Sequence, residues 1–479
     1  MILPTRLLLF ATPLVPARRA PLSRSHARQP QKQFLSSRLS AIALASLTLL
    51  AVPLTVHAAP EPPGQQGPNM DLTQQAIQTR IQQHRTAEVT LTVLGADGKP
   101  LANTQVVIGQ SRHKFLFGCN AFGVRPGAAT DDQRAYQKRF ADLLNFATLP
   151  FYWGGYERIE GQPDQDKLRG MAQWCIGQGI RLKGHPLCWQ QVSPAWLAGK
   201  PMAGVEKLQL GRITREVTAF RGAVDTWDVV NEAVSMPSYQ QETTRIPELA
   251  RTLGTVELIR RTFAAARAAN PKATLILNDY ETSDKYAKLI AECLAAKIPI
   301  DAIGIQSHQH PGAWGAAKIW DVCQRFGRFG MPLHFTETTF ISAEPKQGQR
   351  WSGPPYTDWP TTPAGEARQA REAAEFYTIL FSHPAVEAIT WWDFSDQGCW
   401  LGAPAGLLRK DMSPKPAYEA LMNLVKRQWW TSPQTLTTDA AGVVKFRGFL
   451  GTYTIATAKS RTTFDVLTSG VASVGISTR

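Results

Sequence analysis

Thr226-Trp-Asp-Val-Val-Asn-Glu232-Ala233 decides the reading of this chain. A short run of strand-forming residues ends directly in an Asn–Glu pair, with no polar loop between them. That is a buried strand delivering a carboxyl group to its own C-terminal end, the place where reactive side chains gather in a barrel of parallel strands. Pro332-Leu-His-Phe-Thr336-Glu337 has the same ending further along.

Outward from these two runs, the chain alternates strand and helix. Strands are expected at 114–119, 144–153, 181–186, 226–231, 274–278, 302–306, 333–336 and 388–392, with helices between them, for instance over 256–269 and 366–380. Eight strands with intervening helices predict a (β/α)8 barrel, the TIM-barrel class of α/β fold. The competing open doubly wound sheet carries a Gly-x-Gly-x-x-Gly turn after its first strand, and none follows any strand here. Polar residues also cap five different strands instead of clustering at one switch point.

The flanks read differently. Residues 1–58 hold seven Lys or Arg and no acid, followed by an apolar run from Ala41 to Val56 and then His57-Ala58. This is the pattern of a signal peptide cleaved near Ala58, implying a secreted or periplasmic protein. The run falls short of the roughly 20 residues a membrane span needs, so no stable span is expected after cleavage. Residues 59–86 read as a Pro/Gly linker and a short amphipathic helix, and residues 87–112 as a β-hairpin with period-two apolar positions. After the barrel, placed at 113–431, residues 432–479 return to strand pattern. A lone hairpin is marginal in water, so the two ends are expected to meet as a small accessory β-sandwich.

Composition narrows the function. The seven leader cations are half of the formal net charge of +14, and no long Lys/Arg run follows them, which argues against nucleic acid as a partner. Six cysteines (Cys119, Cys175, Cys188, Cys293, Cys323 and Cys399) are too scattered for a disulfide framework, although one or two bridges are compatible with export.

The strand ends carry the chemistry. Lys183-Gly-His185-Pro-Leu-Cys-Trp189 ends the third strand and Leu277-Asn-Asp-Tyr280 the fifth. Ile303-Gly-Ile-Gln306-Ser-His308 ends the sixth and Thr390-Trp-Trp392-Asp393 the eighth, with Asp396 and Trp400 beyond. Polar groups with tryptophan faces suit a hydroxyl-rich ligand. Of the 14 tryptophans, Trp153, Trp189, Trp196, Trp392 and Trp400 fall at or just after strand ends. Two carboxyl groups on separate strand ends are the equipment of retaining glycoside hydrolysis. The alternatives are a carbohydrate-binding barrel with idle glutamates and a zinc hydrolase using His308 and His310. In the second, Pro311 places His310 past the strand end and no third ligand has diagnostic spacing.

The ordered set Gly184-His-Pro-Leu-Cys-Trp189, Trp227-Asp-Val-Val-Asn-Glu-Ala233, Leu277-Asn-Asp-Tyr280, Ile303-Gly-Ile-Gln-Ser-His308, Phe335-Thr-Glu337 and Trp392…Asp396…Trp400 resembles glycoside hydrolase family 10, mainly endo-β-1,4-xylanases. The resemblance implies Glu232 as acid/base and Glu337 as nucleophile. It also implies a sugar site formed by Asn231, His185, Trp189, Gln306, His308, Tyr280, Trp392 and Trp400. The substrate would be xylan or another β-linked glycan, such as a β-glycoside with an apolar aglycone. No cofactor or metal is expected, and the protein is expected to be a monomer. The chain departs from the family at the second strand, where the usual Glu-Asn-x-Met-Lys clamp becomes Thr148-Leu-Pro-Phe-Tyr152. Gln190 stands where a His is usual, and Thr339 where an Asp is usual. The loop from Ser342 to Thr362 is expected either to line the leaving-group side of the cleft or to be a surface insertion.

Overall fold

The computed structural model describes residues 71–478 except 241–243, 347, 350–352 and 459. The leader and the Pro/Gly linker lie outside the described residues. After a helix at Gln74–Arg85 come strands β1 (Thr86–Gly95) and β2 (Gln105–His113). The barrel strands are β3 (Leu116–Asn120), β4 (Phe146–Pro150), β5 (Arg181–His185), β6 (Thr226–Asn231), β7 (Thr274–Asp279), β8 (Ala302–Ile305), β9 (Leu333–Thr338) and β10 (Val386–Trp391). They pair in parallel in that order, and β10 closes on β3. The expected (β/α)8 barrel is therefore present.

Local chemistry explains the elements. Thr130 and Gln133 form a reciprocal capping box that starts the helix Asp131–Leu143. Thr362 caps the helix Pro363–Ser382, whose first residue is proline, suited to that position. On the outer face of the barrel wall, under the helices, Trp227 lies over Gly184; any Cβ there would stand 2.2 Å from its ring, so only glycine fits. Phe151 meets Trp227 edge-on at 4.8 Å. Side chains of this size contribute about 1.5–3 kcal/mol each when fully buried, and the layer between strands and helices is continuous apolar packing. The barrel interior instead combines a small apolar cluster of Leu116, Phe146 and Ala388 with buried polar groups. Register then aligns the polar strand ends, with Asn231 opposite Asn278 and Asp279 opposite Ile305.

The two ends of the described chain do meet. The last strands are β11 (Gln434–Thr437), β12 (Val443–Phe449), β13 (Gly451–Ala456), β14 (Arg461–Val466) and β15 (Gly470–Thr478). One sheet runs β12-β1-β15 and the other β11-β2-β13-β14. Val89, Leu91 and Val93, with Phe446 beside them on β12, face Val106, Ile108, Tyr453, Ile455 and Phe464 in a shared core, a sandwich as expected. The hairpin expected at 87–112 is corrected: β1 and β2 belong to opposite sheets. Period two fixes which side chains face inward, but the connection between Gly95 and Gln105 is long enough to cross from one sheet to the other. Arg85 ties this end to the barrel base, donating to the carbonyls of Phe381, His383 and Val386 at 2.6, 2.5 and 2.8 Å. Trp429 stacks on Phe381 at 4.2 Å.

All six cysteines are buried and free, so neither of the bridges allowed by the sequence is formed.

Candidate active site

A cleft of about 690 Å³ opens at the C-terminal ends of the barrel strands. It collects all ten residues expected at the site: His185, Trp189, Asn231, Glu232, Tyr280, Gln306, His308, Glu337, Trp392 and Trp400. Trp153 and Trp196 do not line it. They pack against each other at 5.7 Å, and their indole N–H groups donate to the Glu157 carboxylate and carbonyl. Position after a strand end does not specify which way a ring turns.

Glu232 sits one residue past β6 with φ 59, in the left-handed region. A non-glycine residue there costs about 1–3 kcal/mol and persists where its surroundings enforce it. Its backbone N–H donates to the Asn278 carbonyl at 2.8 Å, which anchors the turn. Its Oε1 accepts from Asn231 Nδ2 at 3.3 Å and Gln306 Nε2 at 3.2 Å, and its Oε2 from Gln190 Nε2 at 2.6 Å. Glu337, within β9, accepts at Oε1 from Asn278 Nδ2 at 3.0 Å, while His308 Nε2 lies 3.3 Å from Oε2 and His185 Nε2 3.9 Å from Oε1.

The two carboxyl groups are joined by amides. Asn278 Nδ2 also donates to Asn231 Oδ1 at 2.7 Å, and Asn231 turns its Nδ2 to Glu232. Thr336 Oγ1 donates to Asn278 Oδ1 at 2.6 Å, locking the amide's orientation. Gly304 makes this arrangement possible, because a Cβ there would lie 2.4 Å from Asn278 Oδ1. Below, His185 Nδ1 meets Asp228 Oδ2 at 2.7 Å, and the fully buried Lys183 Nζ reaches the same oxygen at 2.6 Å. The hydroxyl of Thr339 stands 3.4 Å from His308 Nδ1 and 3.1 Å from His310 Nδ1, in the place of the missing aspartate.

Electrostatics pull the two glutamates apart. Burial, and then the charge of Glu337, raises the Glu232 carboxyl above its ordinary value. Burial would raise Glu337 as well, but His185, the bond from His308 and the Lys183 charge outweigh it and hold Glu337 below its ordinary value. Such divergence marks acid and base partners. Asp279, beside Glu232, is pushed up to about 7 and Asp393 to about 6, in both cases chiefly by burial.

The cleft is lopsided. On one side Trp392, Tyr152 and Trp189 line it, Tyr152 meeting Trp189 at 5.6 Å, with Phe122 behind them in contact with Trp392 (5.4 Å) and Tyr152 (5.8 Å). The sequence singled out Tyr152 and Trp189 but missed Phe122. Thr148 and Leu149, the other altered clamp positions, are fully buried and do not line the cleft. Opposite, Ser235, Ser238, Tyr239, Gln240, Thr282 and Lys318 offer polar groups, and Tyr280 stands 48% exposed.

The described part of the 342–362 loop does not line the cleft. Its Tyr356 and Trp359 pack on Ala403 and Ala405, and Tyr356 N–H donates to the Leu401 carbonyl at 2.8 Å. The loop therefore braces the segment that carries Trp400. His308 and His310 share the Thr339 hydroxyl, and among the described residues no group of three or more His, Cys, Asp or Glu forms a metal-holding cluster.

A closed parallel barrel with two buried, amide-linked carboxyl groups at its C-terminal end is the arrangement of a barrel glycosidase. The chain belongs to glycosyl hydrolase family 10, whose model matches residues 132–424. An anti-sigma-I factor of Acetivibrio thermocellus is 24% identical over 387 residues, covering 78% of this chain and 45% of that protein. Endo-1,4-beta-xylanase A of a Caldicellulosiruptor species is 30% identical over 273 residues, covering 53% of this chain and 38% of that protein. The chain thus spans less than half the length of these two relatives. The structure of xylanase 10B from Thermotoga maritima superposes with a TM-score of 0.56 at 23% identity, over 66% of this chain and 96% of that one. This last likeness supports the barrel fold.

Proposed function

We propose that the protein is a retaining glycosidase that cleaves β-1,4-xylosidic bonds of xylan or xylo-oligosaccharides. The observation that carries this reading is the pair Glu232 and Glu337, bridged through Asn231 and Asn278 and shifted in opposite directions. Retention requires carboxyl groups about 5–5.5 Å apart, one protonated and one ionised, and a short amide bridge suits that separation. Glu337 attacks the anomeric carbon while Glu232 gives its proton to the departing glycosidic oxygen. Glu232, now a carboxylate, takes a proton from water as the water's oxygen displaces Glu337 and frees the sugar with its configuration retained.

His185 and His308 hold the Glu337 carboxylate in place, and Asn231 meets the sugar hydroxyl beside the reacting carbon. Trp392 and Trp400 flank the ring. The xylanase relative supports the substrate, and the polar side of the cleft supports a hydroxylated leaving group. The basic, then apolar leader supports export to the periplasm or medium. Among the described residues no helix is long and apolar enough to cross a membrane. One chain carries every group the reaction needs, so a monomer suffices.

The test is incubation of residues 59–479 with β-1,4-xylan, with Glu232→Ala/Glu337→Ala as the blank. Short xylo-oligosaccharides absent from the blank are the expected result. If xylan is untouched while aryl or alkyl β-glycosides are cleaved, the substrate moves to β-glycosides with apolar aglycones. If all are untouched, the glycosidase reading fails.

A further inference from the structure

Glu232 is held by amides of two kinds. Its Oε1 faces donors only, the N–H groups of Asn231 and Gln306. Neither is placed to turn: Asn231 Oδ1 is engaged by Asn278 at 2.7 Å and by Gln306 at 3.1 Å. An acid proton on Oε1 would point at N–H groups, so the proton of the acid form belongs on Oε2. There the hydrogen-bonded amide is that of Gln190, only 1% exposed, whose Nε2 lies 2.6 Å away, while the Trp189 indole N–H faces the same carboxyl group as a donor that cannot accept. An N–H satisfies a carboxylate at that point but not a carboxylic O–H, which needs an acceptor. The acceptor is at hand, since Gln190 Oε1 is buried without a hydrogen-bond partner. A half-turn of the amide exchanges the two atoms over the same spot, and a buried oxygen left unsatisfied costs about 1–3 kcal/mol.

We propose that Gln190 is a positioning residue that turns its amide between the two protonation states of Glu232. It accepts the O–H on Oε2 before the glycosidic bond breaks and donates to Oε2 afterwards, while Glu232 activates water. This rests on the proposed acid/base role of Glu232 and adds which oxygen carries the proton and what holds it. A neutral amide does this without adding charge to a carboxyl group already faced by Glu337 and His185 across the cleft, Asp279 on β7, and the phenols of Tyr239 and Tyr280. Transfer moves one proton from Oε2 to the leaving oxygen; Gln190 gains and loses none.

The experiment compares kcat/KM for two substrates: a xylo-oligosaccharide, whose departing alkoxide must be protonated, and a dinitrophenyl β-xyloside, whose leaving group departs unaided. Gln190→Leu, which fills the space with neither donor nor acceptor, is expected to lower the first by about tenfold and leave the second within about twofold. Equal losses on both substrates, or none on either, overturn the proposal. Gln190→Lys, a donor that cannot accept, favours the carboxylate and is expected to move the alkaline limb of the oligosaccharide profile down by about one pH unit. A limb that stays in place also overturns it. If the unsubstituted protein cleaves neither substrate, the failure lies in the glycosidase reading itself.

Discussion

Asp228→Asn is the perturbation that presses hardest on the floor of the cleft. Asp228 is fully buried, and one of its oxygens serves both Lys183, also fully buried, and His185. The substitution keeps the shape but leaves the Lys183 ammonium without a counter-charge. Removing one partner of a buried ion pair costs about 3–5 kcal/mol. Unfolding entropy of about 2.1 cal/mol/K per residue over roughly 400 residues converts each kcal/mol into about 1.2 °C. Differential scanning calorimetry at pH 7 should therefore show Tm lowered by about 4–6 °C.

The double variant Lys183→Met/Asp228→Asn, which removes both charges, should recover most of that loss. The pH dependence has a definite sign. Burial alone would raise Asp228, yet Lys183 and His185 outweigh it and hold it below its ordinary value. A depressed carboxylate stabilises the fold above its unfolded value of about 3.9 and loses that contribution as pH falls through the folded value. The difference in Tm between the unsubstituted protein and Asp228→Asn should therefore shrink as pH drops below about 4. A change under about 1 °C at pH 7, or strictly additive losses in the double variant, would refute the account.

Because Glu232 is raised and Glu337 lowered, kcat/KM for xylo-oligosaccharides should be bell-shaped in pH, falling on the acid side as Glu337 takes up a proton and on the alkaline side as Glu232 loses one. Glu232→Gln should lower kcat/KM for xylo-oligosaccharides by at least about a hundredfold while leaving kcat/KM for dinitrophenyl glycosides, whose leaving group needs no proton, far less affected. With six buried free thiols, dithiothreitol should leave Tm unchanged, and the unfolded protein should titrate six thiols without a reductant. Excess EDTA should leave xylan hydrolysis unaffected in a reducing-sugar assay. Gly402→Ala sets a Cβ 2.2 Å from the Tyr356 carbonyl oxygen at φ 68, so it should cost about 1–3 kcal/mol and raise KM by shifting Trp400.

The barrel was legible because its strands are short apolar runs separated by helical stretches, five of them ending in polar residues, and the candidate site was legible because the two glutamates end such runs. What was hidden depends on contacts distant in sequence. The left-handed turn at Glu232 is enforced by Asn278, 46 positions on, and nothing in the Asn–Glu pair announces it. Asn278 itself belonged to a recognised strand ending, but its place between the two carboxyl groups depends on Thr336 and on the bare Gly304. The absence of an aspartate after Glu337 was visible, whereas the Thr339 hydroxyl that stands in its place was not. In β1 and β2 the alternation told inside from outside correctly and was silent on which sheet each strand joins.

The split sandwich also has a timetable. β2 ends at His113 and β11 opens at Gln434, with the whole barrel between them. At about 5–20 residues per second, synthesis of that stretch takes roughly 20–60 s. Throughout that interval the inner faces of β1 and β2 have no partner strands, while every barrel strand can already find its neighbour. On a chain that folds as it emerges, from a ribosome or a translocation pore, the sandwich therefore closes last, like a clasp, and a chain cut short before β11 leaves the inner faces of β1 and β2 without their partner strands.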